Sequence, residues 1–136
     1  MILLDSSVLI DIIEAKPVWG EISAHLLHQQ AQVDRLGINV VVLAEVSRSF
    51  PDLASFNAFL ADTRIDFVDV PREAGFLAAQ AHQRYRQRGG LRGSTLPDFF
   101  IGAHASVARC PLITRDPQRV RTYFPDVELI GPAHTE

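Results

Sequence analysis

Short apolar runs alternate with segments of helical period along this chain, and that alternation leaves few folds open. Residues 2–5 read as a first strand, and a short helix through Leu9, Ile10 and Ile13 follows. Pro17 starts a second helix whose apolar stripe is Ile22, Leu26 and Leu27. Residues 37–42, a β-branched run without alternation, predict a buried strand. Helices are expected at 43–50 and 52–61, separated by Pro51, and a third strand at 65–70. Pro71 opens a long helix with Ala74, Leu77, Ala78, Ala81 and Tyr85 on one face. A helix over 97–108, a strand at 111–114, a helical turn near 117–123 and a last strand at 127–130 complete the pattern. Strand–helix alternation of this kind predicts an α/β fold with a parallel sheet.

A chain of 136 residues, 47% hydrophobic and 21% charged, has the composition of one globular domain spanning 1–136. At this size about two-thirds of the unfolded surface is buried, enough for a real core. Cys110, the single cysteine, reads as a small buried hydrophobe in a reducing compartment. The opening Met1-Ile2-Leu3-Leu4-Asp5 lacks the features of a signal peptide, and no run approaches the roughly 20 apolar residues of a membrane span. A cytoplasmic location is expected.

Four carboxylates stand just past apolar runs or at helix starts: Asp5, Glu45, Asp98 and Asp116. In an open parallel sheet the carboxyl ends of the strands converge on one crevice. Four acids delivered there repel one another unless a hard cation sits among them, and oxygen ligands suit Mg²⁺ or Mn²⁺. Each acid also has a plainer reading. Asp5 could cap the helix that follows it. Glu45 falls in the first turn of an expected helix, where the dipole favours a negative group, although Leu43, Ala44 and Val46 imply partial burial. Asp98 fits the reciprocal position of a capping box begun by Thr95, and Asp116 precedes a proline, a common turn opening. Their joint placement favours metal-assisted phosphodiester chemistry. Asp11, Glu14, Asp34, Asp52 and Asp62 read as solvated acids, and Asp66 and Asp69 as edge residues facing water.

The net charge of −3 does not exclude a nucleic-acid partner, because acids that bind a cation cease to repel phosphate once it is seated. Arg84, Arg86, Arg88 and Arg92 read either as a solvated helix end or as an RNA clamp, and Arg115 is a second candidate contact. His104 falls in an apolar helix and reads as a hydrogen-bonded core residue.

The same acids carry a family resemblance. Leu4-Asp5-Ser6-Ser7-Val8-Leu9-Ile10, Val42-Leu43-Ala44-Glu45-Val46, Leu96-Pro97-Asp98-Phe99-Phe100-Ile101-Gly102-Ala103 and Leu112-Ile113-Thr114-Arg115-Asp116 resemble, in order and spacing, the acidic motifs of PIN-domain ribonucleases. Among these the chain most resembles the compact VapC-type toxins of toxin–antitoxin pairs. The resemblance implies a five-stranded parallel sheet of order 3-2-1-4-5 flanked by helices, Mg²⁺ or Mn²⁺ in the crevice, and endonucleolytic RNA cleavage. It also implies a homodimer held inactive by a cognate antitoxin. Asp5, Glu45, Asp98 and Asp116 match the acidic quartet, and Ser7 and Thr114 match the polar positions beside the metal.

Rival folds fit poorly. A response-regulator receiver needs a second early acid and a late lysine, but Ser6 and Ser7 follow Asp5 and Lys16 is the only lysine. A haloacid-dehalogenase-type phosphatase needs an Asp where Ser7 stands. A dinucleotide-binding domain needs a glycine fingerprint after the first strand, and none is present. The competing reading is a catalytically inert PIN-like module that binds RNA or protein.

Overall fold

The computed structural model describes residues 1–90 and 96–131. Its strands are β1 (Ile2–Leu4), β2 (Leu36–Ile38), β3 (Ile65–Phe67), β4 (Leu112–Ile113) and β5 (Leu129–Ile130). The helices are α1 (Ser6–Ile13), α2 (Trp19–Ala31), α3 (Val40–Val46), α4 (Leu53–Thr63), α5 (Arg72–Gln87), α6 (Phe100–Ala108) and α7 (Pro117–Tyr123). Short 3₁₀ turns at Ser47–Ser49 and Leu96–Phe99 extend α3 and lead into α6.

The sheet runs β3-β2-β1-β4-β5, and every neighbouring pair is parallel. Leu3 is level with Gly37 on one side and Leu112 on the other. Chain order therefore moves outward from β1 in one direction through β2 and β3, then returns to its other side with β4. That reversal lies beside Asp5, at the carboxyl end of β1. It is the switch point at which open sheets of this kind form a binding crevice.

Leu3, Leu4, Ile38, Leu112 and Ile113 are fully buried, as expected for strands covered by helices on both faces. Val8, Leu9, Val42, Val46, Phe56 and Phe99 close over them. The small face of α5 (Ala74, Ala78, Ala81) is buried as the sequence pattern predicts. Gly102 on α6 permits one close approach: a Cβ there would stand 2.5 Å from the Phe124 ring.

Several expectations need correction. The second strand ends at Ile38, and Val40–Val42 open α3 rather than extend β2. Asn39 is the reason. Its buried Oδ1 accepts from the backbone N–H groups of Val41 (3.0 Å) and Val42 (3.1 Å), a cap that overrides the β-branched run. The third strand stops at Phe67 and the last covers only Leu129–Ile130, so the sheet is shorter than the apolar runs suggest. On α2 the buried stripe is Ser23, Leu26 and Leu27, with Ile22 exposed. Ser23 displaces Ile22 from the interior because its hydroxyl serves a buried carboxylate, Asp11 (3.2 Å). Asp11 is thus no solvated acid; it is fully buried.

Candidate functional site

Asp5 is built into the switch point by both its backbone and its side chain. Its N–H donates to Ile113 O of β4 (2.9 Å), extending the β1–β4 ladder by one residue. Its Oδ1 accepts from Ser6 N (2.8 Å), so the capping reading of Asp5 holds alongside any other role. Its Oδ2 accepts from Ser7 Oγ (3.1 Å) and from Thr114 Oγ1 (2.7 Å). Thr114 Oγ1 in turn accepts from Asp116 N (3.0 Å), so one hydroxyl links the first and last acids of the quartet. Burial pushes the Asp5 carboxyl above the usual carboxylate range. The hydrogen bonds from Thr114, Ser7 and Ser6 oppose that shift without cancelling it, and the negative charge of Asp116 adds to it.

Glu45 lies in the last turn of α3, not the first, because α3 begins at Val40. Dipole stabilisation therefore cannot explain an acid there; the carboxyl end of a helix disfavours one. The residue is exposed along its helix. Its carboxyl nevertheless titrates above its usual range, through partial desolvation first and then the charges of Asp5 and Asp98, against a hydrogen bond from Ser6. Asp98 sits half-buried in the 3₁₀ turn before α6, next to fully buried Phe99, which anchors that turn. Its expected capping partner, Thr95, lies outside the described residues. Asp116 precedes α7 and is exposed, with no side-chain cap of its own.

These placements bring all four predicted acids to one cavity of about 170 Å³, together with Ser7 and Arg119. Larger concavities exist, of about 720 Å³ beside Arg35 and Asp66 and about 530 Å³ beside Cys110. The first is lined by Asp34, Asp62 and Asp66, but Asp34 is paired with the N-terminal amine and Asp66 with Arg35, and the second holds only Asp126 and Glu128. A phosphodiester with a small cation needs polar lining more than volume. Among the described residues no three His, Cys, Asp or Glu side chains already stand in ligating geometry. The donor chemistry still fits a hard cation: the lining acids offer only oxygen, the charge of Asp116 raises the Asp5 carboxyl, and those of Asp5 and Asp98 raise Glu45.

Residues 2–125 match the family model of the PIN domain. The chain belongs to the PIN-domain family. Solved structures share the PIN fold over nearly the whole length. VapBC2 from Rickettsia felis, bound to a DNA fragment from its promoter, is 22% identical with a TM-score of 0.72 over 96% of this chain and 98% of that one. VapBC-1 from nontypeable Haemophilus influenzae is 18% identical, with a TM-score of 0.70 over 96% and 98%. FitAcB from Neisseria gonorrhoeae is 20% identical, with a TM-score of 0.67 over 98% and 99%. No curated protein matches the sequence.

The PIN fold distributes the predicted basic residues unevenly. Arg86 and Arg88 are exposed at the end of α5 and just past it, and the Arg88 guanidinium lies 5.6 Å from the Tyr123 ring centre. Arg92 lies outside the described residues. Arg115 does not project into the crevice as a free cation: its Nη2 donates to Asp11 Oδ1 (3.0 Å), and its Nε lies 2.7 Å from Oδ2 in an ionic contact not aligned as a hydrogen bond. Arg119 is the lining cation that sequence reasoning missed. Its guanidinium lies over Phe99 (5.4 Å) and Tyr85 (5.7 Å) at the edge of the acid cavity. The signal was present, since Arg119 falls in the first turn of the helix that Asp116 precedes.

His104 is buried as expected, and its Nδ1 stands 3.1 Å from Asn39 Nδ2. Asn39 Oδ1 is already committed to α3, so its amide nitrogen faces the ring and donates. The imidazole is neutral with its proton on Nε2, in accord with the lowering of its pKa by burial. It takes no part in the crevice lining.

Proposed function

We propose that this PIN-domain protein is a Mg²⁺- or Mn²⁺-dependent endoribonuclease, the toxin of a VapBC-type pair, with RNA as its substrate. The observation that carries this reading is the convergence of Asp5, Glu45, Asp98 and Asp116 on one small polar cavity. Asp5 and Asp98 are the firmest ligands, with Glu45 and Asp116 completing the set. Bound there, the cation supplies charge neutralisation at the phosphate oxygens and acidification of an attacking water.

The chain's own residues do the rest. Thr114, Ser7 and Ser6 fix both oxygens of Asp5, so its carboxylate needs no reorientation when substrate arrives. Glu45, exposed at the mouth of the crevice, would complete the ligand set or orient the attacking water. Arg119 faces the cavity as the contact for a phosphate oxygen, held in place over Phe99 and Tyr85. Arg86 and Arg88 extend the positive surface along the backbone of a longer RNA.

The solved neighbours named as VapBC assemblies support an antitoxin as the partner; a homodimer as the working unit rests on the family resemblance. The alternative is an inert PIN-like module that binds RNA or protein, favoured by the absence of ready ligating geometry among the described residues. Cleavage of total RNA by the purified protein and Asp98→Asn, each with Mg²⁺, Mn²⁺ or EDTA, separates the two. Metal-dependent bands lost in the variant are expected. Cleavage that persists in the variant refutes this site, and a Mn²⁺ thermal shift that ignores Asp98 points to the inert module.

A further inference from the structure

Asp11 stands apart from the quartet, yet it is the most deeply placed acid of the described chain, at 0% exposure. Its partners come from three places in the sequence. Arg115 pairs with both its oxygens, Ser23 Oγ of α2 donates to Oδ2 (3.2 Å), and Lys16 Nζ lies 3.7 Å from Oδ1. An ion pair to a fully buried carboxylate from a half-buried guanidinium is a poor way to gain stability, because desolvation of the carboxylate offsets much of its attraction. What a guanidinium held on a carboxylate by one charge-assisted hydrogen bond and a second close ionic contact does provide is fixed geometry.

The geometry it fixes is that of the loop between β4 and α7. Arg115 lies between Thr114, whose hydroxyl holds Asp5, and Asp116, whose N–H is held by that same hydroxyl. The loop is pinned twice at this residue, since the Arg115 N–H also donates to Ser7 Oγ (3.2 Å), itself a donor to Asp5. A shift of Arg115 therefore carries Thr114 and Asp116 with it and loosens Asp5.

The other face of the guanidinium is covered by Trp19, 4.7 Å from the ring centre. Trp19 is delivered there by a tight turn in which its N–H donates to Pro17 O (2.8 Å) and Val18 takes φ 69, ψ −61. A β-branched residue in that region is strained, and such strain persists only where the surroundings impose it.

We infer that Asp11 and Arg115 form a clamp, roofed by Trp19, that positions Thr114 and Asp116 against Asp5 and so sets the cation affinity of the crevice. Neither is a catalytic residue; both are positioning residues. The inference rests on the cation reading of the acid cavity, and its test separates the two.

The test compares the intact protein with Asp11→Leu/Arg115→Met, which removes both charges and strands neither, and with Arg115→Lys, which keeps the charge and loses the planar guanidinium. Amide hydrogen exchange in EDTA is read first. Exchange at the Arg115 and Asp116 amides is expected to quicken roughly tenfold or more, as the loss of a charge-assisted bond predicts. Exchange at the Leu3 and Leu112 ladder amides should stay unchanged. Mn²⁺ binding by titration calorimetry should weaken about 10- to 100-fold in the paired variant, with Arg115→Lys between it and the intact protein.

Unchanged loop exchange with unchanged Mn²⁺ affinity overturns the clamp. So does exchange that quickens uniformly, since a purely stabilising pair would act on Leu3 and Leu112 alike. If the paired variant does not fold, Arg115→Lys carries both measurements. Should Mn²⁺ bind the intact protein and Asp5→Asn equally, the cation reading fails, while the exchange data still decide whether Asp11 and Arg115 hold the loop.

Discussion

Thr114→Val removes one oxygen from the centre of the site and leaves its volume nearly unchanged. The lost hydroxyl donates at 2.7 Å to Asp5 Oδ2 from a residue 1% exposed. A hydrogen bond to an ionised group is worth about 1.5–3 kcal/mol. The added methyl returns about 0.8 kcal/mol by burial. The Asp116 N–H also loses its acceptor, but Asp116 is exposed and water can take that place. The net loss at neutral pH is about 1.5 kcal/mol, or about 5 °C in Tm for a domain of this size.

The loss depends on pH with a definite sign. Thr114 opposes the rise of the Asp5 pKa above 3.8, so the variant's folded-state value lies higher still. A folded pKa above the unfolded one means that the native state binds more protons, and stability falls as pH rises through it. The variant pays that penalty more heavily at neutral pH and escapes it in acid, where Asp5 is protonated in both proteins. Urea unfolding in EDTA at a series of pH values from neutral towards 3.8 should show the deficit shrinking. Thr114→Ser should retain most of the wild-type stability. A deficit that holds constant across pH, or one that serine does not repair, would falsify the assignment of Thr114 as the donor that holds Asp5.

Further tests reach other parts of the molecule. Glu45→Gln relieves repulsion with Asp5 and Asp98, so Tm in EDTA should rise slightly, by about 1–2 °C given the screening at an exposed position, while Mn²⁺-induced stabilisation falls; a lower Tm in EDTA would contradict the charge argument. Arg119→Ala should weaken binding of single-stranded RNA and reduce the slope of log affinity against log salt by about 0.7, and an unchanged slope would remove it as a phosphate contact. Asn39→Ala withdraws the cap of α3 and the donor to His104, so a loss of about 2 kcal/mol in urea is expected; a loss below about 0.5 kcal/mol would mean that the cap does not fix the start of α3.

Asp5 and Asp116 were legible because each follows an apolar run, and a strand's end is a place in space once the sheet is parallel. Asp98 was legible as a helix opening, whereas Glu45 reached the site from the end of a helix, not of a strand. The fold was legible for a related reason: the apolar runs at 2–5, 37–42 and 111–114 are separated by helical segments. Val40–Val42 misled because intrinsic preference speaks for a strand, whereas two hydrogen bonds from Asn39 start a helix there. Asp11 was invisible for a deeper reason. An acid among Ile10, Ile12 and Ile13 declares itself buried only through its partner, and Arg115 lies 104 residues away. The same separation disguised Arg115, which alone looks like one more basic residue beside an acid.

The strand order also governs when the crevice can exist during synthesis. β4 lies beside β1 at the middle of the sheet, and the Thr114–Asp5 bond joins residues 109 apart. A nascent chain can pair β1 with β2 and β2 with β3 long before β4 is made, but Asp5 then lacks its Thr114 donor and Asp116 is absent. The site closes only after nearly the whole domain has left the ribosome. The same dependence runs in reverse during degradation: a protease advancing from the carboxyl end dismantles the crevice once it reaches Asp116, before it meets any other acid of the quartet.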